Sequence, residues 1–364
     1  MIPINDLSRG YNLYRDEYNS KVIEVLEKGW YVLGTEVENF ENHFAERFNE
    51  TIYAAGVDNG LNAIHIGLIA AGINPGDEIL VQANGYIATM LGIMQCGAIP
   101  VFTEPNQYFN MDVTQLEKAL TNRTKAVLVT HLYGQATEMD EISEFCHSKG
   151  LMLFEDCAQA HFAKYKDKFC GSFGDASFFS FYPTKNLGAF GDGGAVVSKS
   201  KELIDRVKVL RNYGSDRRYH NIVEGYNSRL DEIQAALLNV KLKHYDELVD
   251  CRRRIAGIYM SEISNKLVTL PGIAPKCTHI WYQFVLRVGN RESFRQHMRN
   301  CGVATDVNWE VPPYLQPAMK RFGHKRGDYP VTEKLCSEII SIPMMDGMTD
   351  DEIKTVVDAV NKYE

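Results

Sequence analysis

No stretch of this 364-residue chain carries the roughly 20 consecutive apolar residues that a membrane-spanning helix needs. The start, Met1-Ile2-Pro3-Ile4-Asn5-Asp6, lacks a basic segment followed by an apolar run, so no secretory signal is read there and the protein is expected in the cytoplasm. Paired cysteines are missing too. Cys96, Cys146, Cys157, Cys170, Cys251, Cys277, Cys301 and Cys336 are scattered without the spacing of a zinc site or a redox motif, and are read as buried or incidental thiols. The ten histidines never flank a glutamate four residues apart, so no metal is expected; His161 lies nearest the chemistry described below, in a supporting role. Positive charge is in deficit, with 39 Lys and Arg against 47 Asp and Glu and a net charge of -8. That balance argues against a nucleic-acid surface while leaving room for a local patch that meets a small phosphorylated ligand. Internal repeats and low-complexity tracts are absent. What remains, 45% hydrophobic and 24% charged residues, is the make-up of a soluble enzyme able to bury a substantial core in one large unit or two domains.

From about residue 51 to 200, helical periodicity alternates with short apolar runs bounded by turn residues, the pattern of a mostly parallel α/β sheet covered by helices. Strands are expected at Ala98–Phe102, Lys125–Thr130, Leu151–Phe154, Ala176–Phe181 and Ala195–Ser198, with helices at Val113–Ala119 and Met139–Lys149. The segment Gly72 to Asp77 ends a helix that begins near Gly60. A long helix is expected from Ser228, capped by its hydroxyl with Asp231 three residues on, and running through Glu232, Ala236, Val240 and Tyr245 toward Met260. Beyond Pro271 a second alternation predicts a strand near Gln283–Val288, a helix at Arg291–Cys301 and a last helix at Asp350–Lys362. The expected division is an N-terminal segment with a large unit over residues 1–250 and a smaller α+β unit over 251–364.

In sheets of this kind ligands bind at the carboxyl ends of the strands, and the chemically suggestive residues fall there. Glu155-Asp156-Cys157-Ala158-Gln159 places a buried acid at one strand end. Phe181-Tyr182-Pro183-Thr184-Lys185-Asn186-Leu187-Gly188 displays a lysine between turn formers and glycine after another. Pyridoxal phosphate chemistry needs that pair: an amine, Lys185, to form an imine with the cofactor aldehyde, and a carboxylate, Asp156, to keep the pyridine nitrogen protonated so that the ring accepts electrons. Either residue alone reads as a surface lysine or a helix cap. Asn59-Gly60-Leu61-Asn62 looks like a helix start whose free amides meet a phosphate, Gly60 allowing close approach, although Asn-Gly alone is a turn signal.

The wording of these segments resembles the DegT/DnrJ/EryC1/StrS family of sugar aminotransferases. The resemblance extends through Ala83-Asn84-Gly85-Tyr86-Ile87-Ala88-Thr89, His131-Leu132-Tyr133-Gly134-Gln135, Gly191-Asp192-Gly193-Gly194, Tyr226-Asn227-Ser228-Arg229-Leu230-Asp231 and Leu315-Gln316-Pro317. It implies a fold-type I pyridoxal phosphate enzyme that passes through the pyridoxamine form. It also implies an amino donor, L-glutamate, and a nucleotide-linked keto-sugar acceptor. By the same resemblance Gly60, Leu61 and Ser180 meet the cofactor phosphate, Tyr86 lies against the ring with a core aromatic as its rival reading, and Gln159 faces the ring hydroxyl. Asn227 reaches the phosphate from the partner of a homodimer with shared sites, and the loop Gly191 to Gly194 lies close to the neighbouring site. Tyr182, Tyr213, Trp309, Glu310 and Tyr314 are candidates to line the sugar pocket, each of which reads equally well as structural.

Among activities, the segments 83–89 and 181–183 look more like the branch that aminates C3 of a dTDP-linked 3-keto-6-deoxyhexose. The branch that aminates C4 of a 4-keto sugar more often carries a Ser-Phe-Thr-like segment, and remains the alternative. Departures from the family's wording are Gly85, where threonine is common, and Tyr314, where histidine is common before Leu-Gln-Pro. Related pyridoxamine-dependent dehydratases replace the lysine with histidine, which Lys185 opposes. A cofactor-binding regulator without turnover would not require the lysine.

Overall fold

The computed structural model describes residues 1–364, and no helix in it is long and apolar enough to cross a membrane. Seven strands form the central sheet: β1 (Tyr53–Val57), β2 (Glu78–Gln82), β3 (Ile99–Thr103), β4 (Thr124–Thr130), β5 (Met152–Asp156), β6 (Ala176–Ser180) and β7 (Gly194–Ser198). Their spatial order is β1-β7-β6-β5-β4-β2-β3, and only β7 runs against its neighbours. The sheet is therefore mostly parallel, as the alternation predicts.

The side-chain period of two divides each strand between two apolar layers. Leu80, Val127, Val129, Leu153, Phe179 and Val197 lie in one layer, which Phe40 and Phe44 of the helix Thr35–Glu46 share. Ile79, Val81, Leu128, Phe154, Phe178 and Val196 lie in the other layer, with Ile64, Ile66 and Leu68 of the helix Gly60–Ala71. That helix stops at Gly72, whose φ of 92° is a conformation glycine adopts without strain.

A second, antiparallel sheet joins β8 (Val268–Thr269), β9 (Phe284–Val288) and β10 (Ile339–Ile342), backed by the helices Arg291–Asn300 and Asp350–Asn361. The helix Tyr245–Glu262 serves both cores: Tyr245 and Val249 pack with the large sheet, Ile255, Ala256 and Tyr259 with the small one. We propose a large unit through about residue 250 and a smaller one beyond it, joined by this helix.

Two expectations are corrected. Val113–Ala119 is a 3-10 turn, Val113–Gln115, followed by one α turn, Leu116–Ala119. The long helix from Ser228 begins instead at Glu232 and is interrupted at His244, where φ and ψ are -100° and 7°. Tertiary partners take the capping groups. The Ser228 hydroxyl donates to Asp58, and the Glu232 carboxylate accepts the N–H groups of Gly34, Glu36 and Val37, so that it caps the helix Thr35–Glu46. His244 stacks on Tyr14 at 3.9 Å and bonds Glu17 at 2.8 Å, which ties the break to the amino-terminal helices.

Candidate active site

The carboxyl ends of β4, β5 and β6 open on one cavity of about 720 Å³, closed on its far side by Tyr282, Gln283, Asn308, Trp309 and Ser341 from the small unit. Gly60, Leu61, Tyr86, Asp156, Gln159, Ser180, Tyr182, Lys185 and Trp309 all line it. Sequence reasoning placed them separately; the sheet brings them together.

Asp156 is the last residue of β5 and is buried. Its Oδ2 accepts the Thr89 hydroxyl at 2.7 Å and its Oδ1 the Ala158 N–H at 3.1 Å. Burial nevertheless pushes its carboxyl above the ordinary range, since these donors and the Lys185 ammonium compensate the desolvated charge only in part. A protonated ring nitrogen in the cavity would supply the missing positive charge. Lys185 stands in the turn after β6, with its Nζ 4.3 Å from the centre of the Tyr282 ring. Burial alone would raise the Tyr282 phenol, but the Lys185 ammonium and the Thr184 hydroxyl, 3.2 Å away, pull it below its usual value.

At the other end, Asn59 caps the helix Gly60–Ala71 by accepting the Asn62 N–H at 2.8 Å. The N–H groups of Gly60 and Leu61, in its first turn, have no intrahelical acceptor and are suited to an anion. A Cβ at residue 60 would lie 2.6 Å from Ser180 Cβ, so only glycine lets the helix start press against the end of β6. Ser180 Oγ accepts the Tyr182 N–H at 3.3 Å and keeps its own hydrogen to donate. Behind it, His161 Nε2 donates to the Ser180 carbonyl at 3.0 Å; burial and the Lys185 charge push this imidazole down to about 3, which keeps it neutral.

Gln159 Oε1 accepts the Tyr133 N–H at 2.6 Å, which leaves its amide NH2 as the group to offer a ligand. Tyr86 is 47% exposed, which removes the core-aromatic reading, and its ring stacks on Trp309 with centroids 4.8 Å apart. Together the residues suit a flat heteroaromatic ring with a phosphate at one end, a basic nitrogen at the other and an electrophilic carbon facing an amine. The donor set fits pyridoxal 5'-phosphate.

Other sequence candidates lie elsewhere. Tyr314 is corrected: it is 1% exposed, donates its hydroxyl to Glu333 at 2.8 Å and packs on Tyr329, so it has no face toward this cavity. Glu310 accepts Arg291 Nη2 at 2.8 Å, and Tyr213 lies under the Arg229 guanidinium on an exposed turn; neither lines this cavity. Asn227 is likewise exposed outside it. Sequence reasoning missed Thr89, Thr184, Tyr282, Gln283 and Asn308 as site residues. Thr89, three residues after Tyr86, and Thr184, next to Lys185, lay within segments already singled out and so had a local signal.

A buried trio, His131, Glu155 and Cys157, has ligand atoms within 4.8 Å of one another. Its chemistry is already spent internally. Glu155 accepts His131 Nε2 and the N–H groups of Gly171, Phe173 and Gly174 at 2.7–2.9 Å. Burial would raise its carboxyl, but these donors hold it below the ordinary range.

Comparison with known proteins agrees with this reading. The model of the DegT/DnrJ/EryC1/StrS aminotransferase family matches residues 13–361. The chain is 43% identical to dTDP-3-amino-3,6-dideoxy-alpha-D-galactopyranose transaminase of Aneurinibacillus thermoaerophilus, over 100% of this chain and 99% of that protein. It is 39% identical to dTDP-3-amino-3,4,6-trideoxy-alpha-D-glucose transaminase of Streptomyces venezuelae, over 100% and 96%. Among solved structures, S. venezuelae DesV in complex with a ketimine intermediate superimposes with a TM-score of 0.97 at 39% identity, covering 100% of this chain and 98% of that one.

Proposed function

The chain belongs to the DegT/DnrJ/EryC1/StrS aminotransferase family, and from that membership we propose that it transfers an amino group to C3 of a dTDP-linked 3-keto-6-deoxyhexose. It is a pyridoxal phosphate-dependent sugar aminotransferase. The observation that carries the reading is the pairing, across one cavity, of the Lys185 amine with the buried, incompletely compensated Asp156 carboxylate. Support for C3 comes from the two relatives: their sugars differ at C4, while both carry the amine at C3 on dTDP.

When bound, the cofactor supplies an aldehyde carbon and an electron-accepting ring. Asp156, fixed by Thr89 and Ala158, would keep the ring nitrogen protonated through a charge-assisted hydrogen bond. The first-turn amides of Gly60 and Leu61, with the Ser180 hydroxyl, would hold the phosphate, and the Gln159 amide would donate to the ring hydroxyl. The Lys185 amine would hold the cofactor, and the same amine is placed to move a proton at the donor's alpha carbon. Tyr282, whose phenol the Lys185 charge makes more acidic, keeps a polar partner against that amine. Tyr86, Tyr182 and Trp309 set the sugar's pose; moving the ketone by one ring carbon requires the hexose to turn against these walls.

L-Glutamate is the proposed donor and the cytoplasm the proposed location. A homodimer is proposed in which Asn227 of each chain completes the phosphate site of the other. Competition between matched dTDP-3-keto and dTDP-4-keto sugars with glutamate, products read by mass spectrometry and NMR, tests the reading. A higher kcat/KM for the 3-keto sugar with nitrogen at C3 is expected. Nitrogen at C4 overturns the regiochemistry, and no amination of either sugar overturns the substrate class.

A further inference from the structure

Behind the turn that displays Lys185 lies a second, smaller hollow of about 180 Å³. Asn5, Thr184 and Lys185 line both it and the main cavity, so Lys185 stands in the partition between them. The charged and titratable groups around the hollow are Asp6 and Tyr11 from the amino-terminal segment and its first helix, Tyr18 from the next helix, Lys241, Arg252, Asp346 and Lys185 itself. Most are already matched. Arg252 Nε donates to Asp346 at 2.8 Å, and Asp6 accepts Arg9 Nε at 3.3 Å. Lys185 itself faces Tyr282, Asp156 and the neutral His161 on the main-cavity side. Lys241 is left, with no carboxylate within salt-bridge reach and one hydrogen bond, from Nζ to the Gly188 carbonyl at 3.4 Å. Burial accordingly pushes the Lys241 ammonium down to about 8, with Asp346 opposing and Arg252 adding to the shift.

The same helix holds the turn at a second point. Gln234 Oε1, two helical turns before Lys241 and so on the same face, accepts the Phe190 N–H at 2.8 Å. From the opposite side Asn186 Nδ2 donates to the Ile280 carbonyl at 2.8 Å. The backbone bearing Lys185 is thus clamped between the helix Glu232–Lys243 and the segment before β9.

We propose that Lys241 is a positioning residue for Lys185: it anchors the lysine-bearing turn through the Gly188 carbonyl, and its unmatched charge across the shared hollow disfavours the protonated form of the nitrogen that Lys185 bonds to the cofactor. The inference rests on Lys185 holding the cofactor, as proposed above. The charge acts on the resting enzyme before any sugar binds, so it leaves a mark that turnover need not report.

The test is a pH titration of the visible absorbance of cofactor-loaded enzyme, with kcat and KM measured on the same preparations, for the wild type, Lys241→Met, Lys241→Gln and Lys241→Arg. Losing a like charge should raise the midpoint by roughly half to one pH unit in the Met and Gln variants, and arginine should hold it near the wild-type value. KM for the sugar should change less than twofold while kcat falls severalfold in the neutral variants. Gln keeps a donor for Gly188 without the charge, so the test survives if Met fails to fold. A midpoint that stays put in Gln, or moves equally in Gln and Arg, overturns the proposal. Wild-type enzyme without a pH-dependent band that borohydride fixes onto Lys185 would instead refute the assignment of Lys185.

Discussion

Replacing Asp156 with asparagine separates what the buried carboxylate does to the fold from what it does for the chemistry. In cofactor-free protein the side chain is 4% exposed, with the Thr89 hydroxyl and the Ala158 N–H as its donors, and burial raises its carboxyl above the unfolded value of about 3.9. The folded state therefore binds this proton more tightly than the unfolded chain does. Stability associated with the group is complete below the unfolded value and is lost as pH rises through the folded one. D156N keeps the shape and an acceptor oxygen while removing the charge. Leaving a buried group short of partners costs about 1–3 kcal/mol, so the D156N apoprotein should melt roughly 1–4 °C above wild type at neutral to alkaline pH, with the gap closing as pH falls through the acid range. With the cofactor bound this advantage is offset. A charge-assisted hydrogen bond worth about 1.5–3 kcal/mol is lost, which weakens cofactor binding roughly 10- to 150-fold. Scanning calorimetry of apo and loaded forms across pH, with cofactor titrations, reads both effects. A D156N apoprotein less stable than wild type at alkaline pH, or a gap independent of pH, would refute the view of Asp156 as a charge waiting for its counter-ion.

Lys185→Ala should reduce turnover by about 10⁴-fold or more, and borohydride followed by peptide mapping should label Lys185 in wild type alone; a label on Lys241 would reassign the amine. Gly60→Ala drives a Cβ to 2.6 Å from Ser180 Cβ, so the helix start and the end of β6 must part. A stability loss of about 1–3 kcal/mol and a cofactor affinity at least roughly tenfold weaker are expected, and unchanged affinity would remove this helix start as the phosphate cradle. Mixing Lys185→Ala chains with chains disrupted at Asn227 should restore one intact site per heterodimer. No recovery despite verified subunit exchange would argue against a site shared between subunits.

Local sequence marked five of the seven central strands, because short apolar runs bounded by turn residues suit a sheet covered on both faces; β3 to β7 lie within about two residues of their expected bounds, whereas β1 and β2 were not expected. It also pointed to Lys185, Asp156 and the Asn59-Gly60 helix start as candidates, because an acid and an amine at the ends of two strands suit one cofactor together. Tertiary structure decided everything that depends on competition between distant partners. Ser228 and Glu232 look like the start of one capped helix until Asp58 and the amides of Gly34, Glu36 and Val37 claim them. Tyr314 looks like a pocket residue until Tyr329 and Glu333 bury it. Tyr282 and Lys241 carry no motif at all. Their relation to Lys185 arises only when the small unit and the helix Glu232–Lys243 close on the turn after β6, because charge and proximity act through space rather than along the chain.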